Sequence, residues 1–260
     1  MASGGACVSY PKTKRSYSSE FNLMDVDSKT FKNIKRIVKS TWDPDVVGHG
    51  QDGRHLVHRR IEVTDIMRIC NPKLESKYET YKKYLRRKRS ETGQQYDRIT
   101  GIPQELDHFS RQKLSTDINE FYLFHGTDTE NALILAAQGY RVGDPKAMYG
   151  RGIYFAERFT KADQYADNKN DRDKRGTELT VLLCKVLLGD FLKCPKRDAQ
   201  KWKELPYNGR YRYDSVLGSG PGMRFREFVV YDGAQCYPEY IIKYKRVGWK
   251  RYPPTVNEWM

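Results

Sequence analysis

Residues 226–245 decide the fold class, and they read REFVVYDGAQCYPEYIIKYK. The runs 228–231 and 240–242 consist of aromatic and β-branched residues, which is typical of β-strands. Gly233 and Pro238 lie between the two runs and favour a turn-rich connection. Successive strands without a long intervening helix indicate an α+β fold with largely antiparallel sheets, not alternating βαβ units.

The sequence upstream of this stretch contains further strand patterns. They are the apolar runs 121–124, 152–156 and 179–188 and the looser alternation over 55–66. Cys184 lies within the third of these runs, so we expect it to be an unreactive core thiol. No internal repeat interrupts the pattern, and we expect one domain over residues 21–250. Residues 1–20 are predicted to be a disordered leader, and residues 251–260 a tail.

Helix starts are indicated by side chains that can accept hydrogen bonds from the first turn. Asp27 or Ser28 is expected to cap a helix with an apolar face over 31–38, and Pro72 to start a helix that ends near residue 85. Thr127 and Glu130 form a capping box for a third helix. Thr160 is expected to cap a short fourth helix that reaches Tyr165.

The composition excludes several classes of protein. The chain has 260 residues, a formal net charge of +14, 38% hydrophobic residues and 19 tyrosines, which argues for a folded protein and against a disordered one. No apolar run is long enough to span a membrane, and residues 1–10 lack the apolar core of a signal peptide. The five cysteines are scattered without a CxxC pair, which disfavours both a disulfide scaffold and a zinc site. We therefore expect a nuclear or cytoplasmic protein, or one found in both compartments.

One basic cluster, Lys82–Arg89, contains six cations in eight residues. It is interpreted either as a contact for nucleic acid or for importin, or as the solvated end of a helix, where cations are favourable. The sequence does not decide between these interpretations.

The usual nucleotide and hydrolase motifs are absent. Gly150-x-Gly152 precedes a strand instead of opening a helix, and neither a GxxxxGK[ST] loop nor a GxSxG turn occurs. What remains is a histidine–glycine pair at the end of a strand, two tyrosines and one carboxylate beside an apolar strand. These are His125–Gly126, Tyr154, Tyr165 and Glu227.

Together these residues resemble the catalytic domain of the poly(ADP-ribose) polymerases, in the diphtheria-toxin-like ADP-ribosyltransferase family. The matching stretches are LFHGTD (123–128), YGRGIYFAERFTKADQYA (149–166), LLCKVLLGDFL (182–192), YDSVLG (213–218) and residues 226–245. The upstream stretches FKNIKRIVKSTW (31–42) and RRIEVTDIMRICNPKLESKYETYKK (59–83) look like the front of the same domain, in particular in its tankyrase-like branch. The resemblance covers about residues 21–246. The resemblance implies two packed, largely antiparallel sheets flanked by short helices.

The resemblance also implies a His-Tyr-Glu triad of His125, Tyr165 and Glu227 and NAD as substrate. Gly126 would hold the nicotinamide amide, Tyr154 and Tyr165 would stack on its ring, and His125 would bind a ribose hydroxyl. Glu227 would stabilise the positive charge that grows on the ribose as nicotinamide leaves. Proteins would accept the ADP-ribose, and Glu227 permits extension to poly(ADP-ribose).

Two positions near the donor site are of particular interest. The family usually has a serine where this chain has Ala162, so one hydrogen bond to the nicotinamide carboxamide is lost. For this reason a non-catalytic NAD-binding or interaction module stays an alternative to an active enzyme. Arg141 begins a short loop, 141–149, that would cover the NAD. Residues 167–177 contain no cysteine or histidine, so we expect no metal. A second alternative is an enzyme that transfers only single ADP-ribose units and does not extend them to poly(ADP-ribose).

Overall fold

The computed structural model describes residues 15–16, 21–49, 52–93, 95–167 and 176–249. Most of the predicted leader and the whole predicted tail lie outside these residues, so the domain bounds stay predictions. The described part contains five α-helices: α1 Ser28–Ser40, α2 Pro72–Thr92, α3 Gln104–Lys113, α4 Thr129–Gln138 and α5 Phe159–Asp163. None of them combines the length and the apolar composition that a membrane-spanning helix needs.

Twelve β-strands occur in the same residues: β1 Arg15–Ser16, β2 Asn22–Asp25, β3 His58–Cys70, β4 Glu120–Gly126, β5 Ile153–Phe155, β6 Glu178–Leu187, β7 Phe191–Cys194, β8 Tyr207–Asn208, β9 Tyr211–Arg212, β10 Ser215–Gly218, β11 Glu227–Val230 and β12 Cys236–Trp249. The two runs of residues 226–245 thus form β11 and the first half of β12.

Two main sheets give the α+β fold that the sequence predicted. The larger has the strand order β1-β2-β3-β12-β6-β4, with every neighbouring pair antiparallel. The smaller has the order β5-β11-β10-β7, in which only the β7–β10 pair is parallel. A single bridge between Phe124 of β4 and Ala156, just after β5, connects the two sheets. The sheets therefore meet where β4 and β5 end.

The main core cluster contains residues of both sheets and of helices α1, α3, α4 and α5. Strand β6 is buried along nearly its whole length, which agrees with its almost continuous apolar sequence. Cys184 of β6 is completely buried, and burial raises the pKa of its thiol to about 12. The prediction of an unreactive core thiol is consistent with this environment.

Both ends of α5 and the start of α4 differ from the prediction. Asp27 caps α1 as expected, but Asp128 rather than Thr127 caps α4, by accepting the N–H of Asn131 at 2.8 Å. The hydroxyl of Thr160 caps no helix, because it accepts the N–H of Asp43, 117 residues away. Helix α5 accordingly begins at Phe159 and ends at Asp163.

Helix α2 runs seven residues beyond the predicted end and includes the whole basic cluster. Within it, Lys82 pairs with Glu120 at 2.7 Å, and Lys88 pairs with Asp214 at 2.7 Å with only 3% of its side chain exposed. These buried ion pairs hold the second half of α2 against the sheets. The helix ends at Gly93, whose φ of 63° is left-handed.

Candidate active site

The candidate site lies where β4 ends, next to β5, α5 and the start of β11. His125 follows the buried run 121–124, and its Nδ1 lies 2.9 Å from the carbonyl oxygen of Tyr154. A carbonyl only accepts hydrogen bonds, so Nδ1 carries the proton, and Nε2 is the acceptor of the neutral ring. Burial lowers the pKa of His125, which favours this neutral form. The rings of Tyr140 and Phe155 pack against the imidazole at 5.0 and 5.5 Å.

Gly126, the last residue of β4, lies in direct contact with α5. A Cβ atom at this position would lie 1.8 Å from the carbonyl oxygen of Ala162. Any side chain here would therefore push α5 away from the end of β4. Glycine is therefore required for this close approach between β4 and α5.

Helix α5 is buried except at Lys161, which is partly exposed. Ala162 is 2% exposed, and its carbonyl accepts the N–H of Tyr165 at 3.0 Å. Tyr165 and Lys161 are partly exposed, and Lys161 Nζ lies 3.0 Å from Tyr165 Oη and 5.0 Å from the centre of its ring. The contact between Gly126 and Ala162 thus connects the end of β4 to the helical turn that carries Tyr165.

Tyr154 and Glu227 share one face of the smaller sheet. Tyr154 pairs with Val229 across β5 and β11, and Glu227 lies two residues before Val229. Because side chains alternate along a strand, Tyr154, Val229 and Glu227 project from the same side. The hydroxyl of Tyr154 donates to the carbonyl of Gly150 at 3.0 Å, and burial, with a smaller contribution from Glu227, raises its pKa to about 12.

Lys161 connects Glu227 to Tyr165. Its ammonium lies 3.4 Å from Glu227 Oε1 and 3.3 Å from Asp52 Oδ2, while Asp52 also accepts the Tyr165 hydroxyl at 2.6 Å. Lys161 is 12% exposed and Glu227 17%, so water screens these charges only in part. The sequence interpretation missed both Lys161 and Asp52. Lys161 precedes Tyr165 by four residues in the helix that the sequence predicts, a spacing that places side chains next to each other. No local pattern pointed to Asp52.

The Arg141 side chain contacts the end of α4 and not this group. Arg141 is exposed, and its guanidinium donates to the side chain of Gln138 at 3.4 Å, at the end of α4. Among the described residues it forms no hydrogen bond or ion pair with the residues around Glu227. In the part of the chain that the structure describes, no group of three or more His, Cys, Asp or Glu side chains is arranged to hold a metal ion. Residues 168–175, on which the prediction of no metal mainly rests, lie outside the described residues.

The fold and the site define the class of protein: an α+β domain of the ADP-ribosyltransferase fold, with His125, Tyr154, Tyr165 and Glu227 at the junction of its sheets. Residues 28–246 match the family model of the poly(ADP-ribose) polymerase catalytic domain, and the chain belongs to that family.

Curated relatives in two functional groups are similar to parts of this chain. Poly [ADP-ribose] polymerase 2 of Zea mays is 29% identical over 155 residues, which are 56% of this chain and 23% of the relative. Protein mono-ADP-ribosyltransferase PARP11 of Homo sapiens is 32% identical over 146 residues, 49% of this chain and 42% of the relative. Poly [ADP-ribose] polymerase 2 of Arabidopsis thaliana is 36% identical over 93 residues, 34% of this chain and 14% of the relative. The matches cover less than half the length of each of these relatives.

Proposed function

We propose that this protein is an NAD-dependent ADP-ribosyltransferase that transfers ADP-ribose to protein side chains and releases nicotinamide. The observation that carries the proposal is the position of the Glu227 carboxylate. It shares a sheet face with Tyr154 and is connected through Lys161 to Tyr165, while α5 contacts Gly126 beside His125. Membership of the poly(ADP-ribose) polymerase catalytic domain family supports it independently.

In the proposed reaction, the bond between ribose C1′ and the nicotinamide nitrogen breaks, and nicotinamide leaves with the electron pair. Positive charge then develops on the ribose, and the Glu227 carboxylate stabilises it while accepting a hydrogen bond from the 2′-hydroxyl. The acceptor oxygen or nitrogen forms the new bond to C1′ and gives its proton to solvent or to a nearby base. Glu227 acts on the charge of the transition state.

The remaining residues hold NAD in place. His125 Nε2, the acceptor of the neutral ring, takes a hydrogen bond from a ribose hydroxyl. The Gly126 backbone pairs with the nicotinamide carboxamide through one N–H and one C=O, and the rings of Tyr154 and Tyr165 flank the nicotinamide. Arg141 contributes only if its loop moves over bound NAD, since its guanidinium now contacts Gln138.

The test is nicotinamide release from labelled NAD by the wild type and by Glu227→Gln. Removal of this carboxylate is expected to lower kcat about 100-fold, as for other preorganised electrostatic groups. Glu130→Gln, on the exposed first turn of α4, is the matched control and should retain the wild-type rate. The proposal would be refuted if the wild type released no nicotinamide and labelled no protein, and so did not differ from Glu227→Gln.

We further propose that the product is extended to poly(ADP-ribose), with transfer of single units as the alternative. Among the relatives, some are named poly [ADP-ribose] polymerases and others mono-ADP-ribosyltransferases. A ladder of labelled protein on a gel indicates extension, and a single sharp band indicates mono-transfer. In the Glu227→Gln variant, the ladder should be absent while a measurable rate of nicotinamide release remains.

The non-catalytic alternative is motivated by Ala162, which offers no hydroxyl to the nicotinamide carboxamide. Calorimetry separates it from the enzyme: tight NAD binding without nicotinamide release supports a binding module. The tankyrase-like branch and the nuclear or cytoplasmic location stay predictions. A nucleic-acid or importin contact through Lys82–Arg89 has less support, because Lys82 and Lys88 are engaged in ion pairs with little exposure.

A further inference from the structure

Asp52 brings a second carboxylate to the candidate site from a distant part of the chain. It lies between α1 and β3, yet its Oδ2 accepts the Tyr165 hydroxyl at 2.6 Å and pairs with Lys161 Nζ at 3.3 Å. Tyr165 follows it by 113 residues. The Tyr165 hydroxyl in turn accepts from Lys161 at 3.0 Å. Asp52, Lys161 and Tyr165 therefore form a closed triangle of contacts.

The segment that carries Asp52 is held against α5 by other contacts. Val47 and Leu56 are 3% exposed, on either side of Asp52. Gly53 is packed so closely that a Cβ atom would lie 2.5 Å from the His49 carbonyl and 2.9 Å from the side-chain nitrogen of Gln164, in the turn after α5. Gln164 also donates to the His49 carbonyl at 3.4 Å. The backbone next to Asp52 is thus packed against the turn that follows α5.

The charges in the cluster are arranged so that one cation serves two carboxylates. Lys161 Nζ is 3.3 Å from Asp52 and 3.4 Å from Glu227, so the ammonium is shared almost equally between them. If the charge of Asp52 were lost, the attraction to Glu227 would no longer be balanced, and Lys161 would move onto the Glu227 carboxylate. That carboxylate would then be less available to a ribose hydroxyl.

We propose that Asp52 is a positioning residue for the donor site. It fixes the Tyr165 ring through the hydroxyl and restrains Lys161 from pairing fully with Glu227. The inference rests on the proposed function, because it assumes that Tyr165 and Glu227 contact NAD. Asp52 itself acts only through these neighbours and does not touch the substrate.

The test combines steady-state kinetics of nicotinamide release with calorimetry of nicotinamide binding. Asp52→Asn keeps an oxygen that can accept the Tyr165 hydroxyl but removes the charge. It is expected to lower kcat about 10-fold and to weaken nicotinamide binding about 5-fold, roughly the difference between a hydrogen bond to a charged group and one to a neutral group. Asp52→Glu, which keeps the charge, should recover kcat to within about 3-fold of the wild type. Asp45→Asn, at an exposed position of the same segment, should match the wild type in both measurements.

A double-mutant cycle with Lys161→Met separates positioning from a general structural effect. Without the Lys161 ammonium, loss of the Asp52 charge can no longer strengthen an ion pair between Lys161 and Glu227. Asp52→Asn should therefore change kcat less than about 3-fold in the Lys161→Met background. An equal loss of kcat in both backgrounds would overturn the proposal. So would an Asp52→Asn variant that matches Asp45→Asn while the wild type is active, a result that leaves the proposed function intact. A wild type that releases no nicotinamide refutes the proposed function first, and the positioning inference falls with it.

Discussion

Substitution of Asp163 by asparagine tests the buried charge cluster beneath the site. Asp163 is the last residue of α5 and is fully buried; its carboxylate lies 2.9 Å from Arg246 Nε and 3.2 Å from His58 Nε2. It also accepts the hydroxyl of Tyr244. Asparagine has nearly the same shape, so the substitution removes the charge without leaving a cavity.

The expected loss in the free energy of unfolding depends on the buried charges that remain after the substitution. Breaking a buried ion pair by removing one partner typically costs about 3–5 kcal/mol, because the other charge stays buried without compensation. Arg246, with 4% of its side chain exposed, keeps its ion pair with Asp167 and its hydrogen bond to the Asp163 carbonyl at 2.7 Å. We therefore expect the lower end, about 3 kcal/mol of the free energy of unfolding.

The pH dependence of this difference is also fixed by the cluster. Burial raises the pKa of Asp163, but Arg246, His58 and Tyr244 together outweigh burial and lower the pKa to about 2. The ionised carboxylate therefore stabilises the fold fully above its ordinary pKa of 3.8, and this contribution is lost as the pH falls from about 4 towards 2. The wild-type advantage should shrink by about 2 kcal/mol over that range, at 1.4 kcal/mol per pKa unit.

Urea unfolding followed by tryptophan fluorescence measures both effects. Wild type, Asp163→Asn and the exposed control Asp45→Asn are compared at pH 7, and at pH 4 and 3 where they still fold. Asp45→Asn should unfold at the wild-type midpoint. A loss below about 1 kcal/mol for Asp163→Asn at pH 7, with an unchanged slope, would show that the cluster does not stabilise α5 as argued. A wild-type advantage that stays constant down to pH 3 would contradict the pKa argument.

Two substitutions test the roles of Gly126 and Ala162, one at each side of the contact between β4 and α5. Gly126→Ala places a Cβ 1.8 Å from the Ala162 carbonyl, so α5 must shift; nicotinamide release should fall more than about 100-fold, since a displacement near 1 Å already misplaces the binding groups. A kcat/KM within about 3-fold of the wild type would contradict this close approach. Ala162→Ser supplies the missing hydroxyl, and calorimetry should show nicotinamide bound about 5-fold tighter, equivalent to one hydrogen bond. Unchanged or weaker binding would mean that residue 162 does not face the carboxamide.

The sequence predicts those elements whose determinants lie close together along the chain. Asp27 caps α1 because its carboxylate reaches the N–H groups of Lys29 and Thr30, both within three residues. Pro72 starts α2 for an equally local reason, its fixed backbone angle. The succession of strand patterns in residues 226–245 indicates antiparallel sheets without any knowledge of the partners.

Distant contacts explain most of what the sequence did not predict. Thr160 looks like a helix cap, but its hydroxyl is used by Asp43, 117 residues away. Helix α2 continues past Leu85 because Lys88 finds Asp214, 126 residues away, and Gly93 can adopt the left-handed turn that ends it. Asp52 belongs to the same class, since only the folded chain brings it to Tyr165.

These long-range contacts converge on α5, which is too short to be stable alone. A helix of five residues forms about 1.4 turns, whereas helix formation in isolation requires roughly 12 residues or more. Gly126 contacts the Ala162 carbonyl of α5, and Arg246 forms an ion pair with Asp163 at its last residue. On the side of the candidate site, Asp52 contacts Lys161 and Tyr165. The geometry of the candidate site is thus set by tertiary contacts, and loss of the Asp163 charge weakens a contact that holds α5 and the turn to Tyr165 in place. Activity and the free energy of unfolding should therefore fall together for Asp163→Asn, whereas Asp52→Asn should lower activity alone.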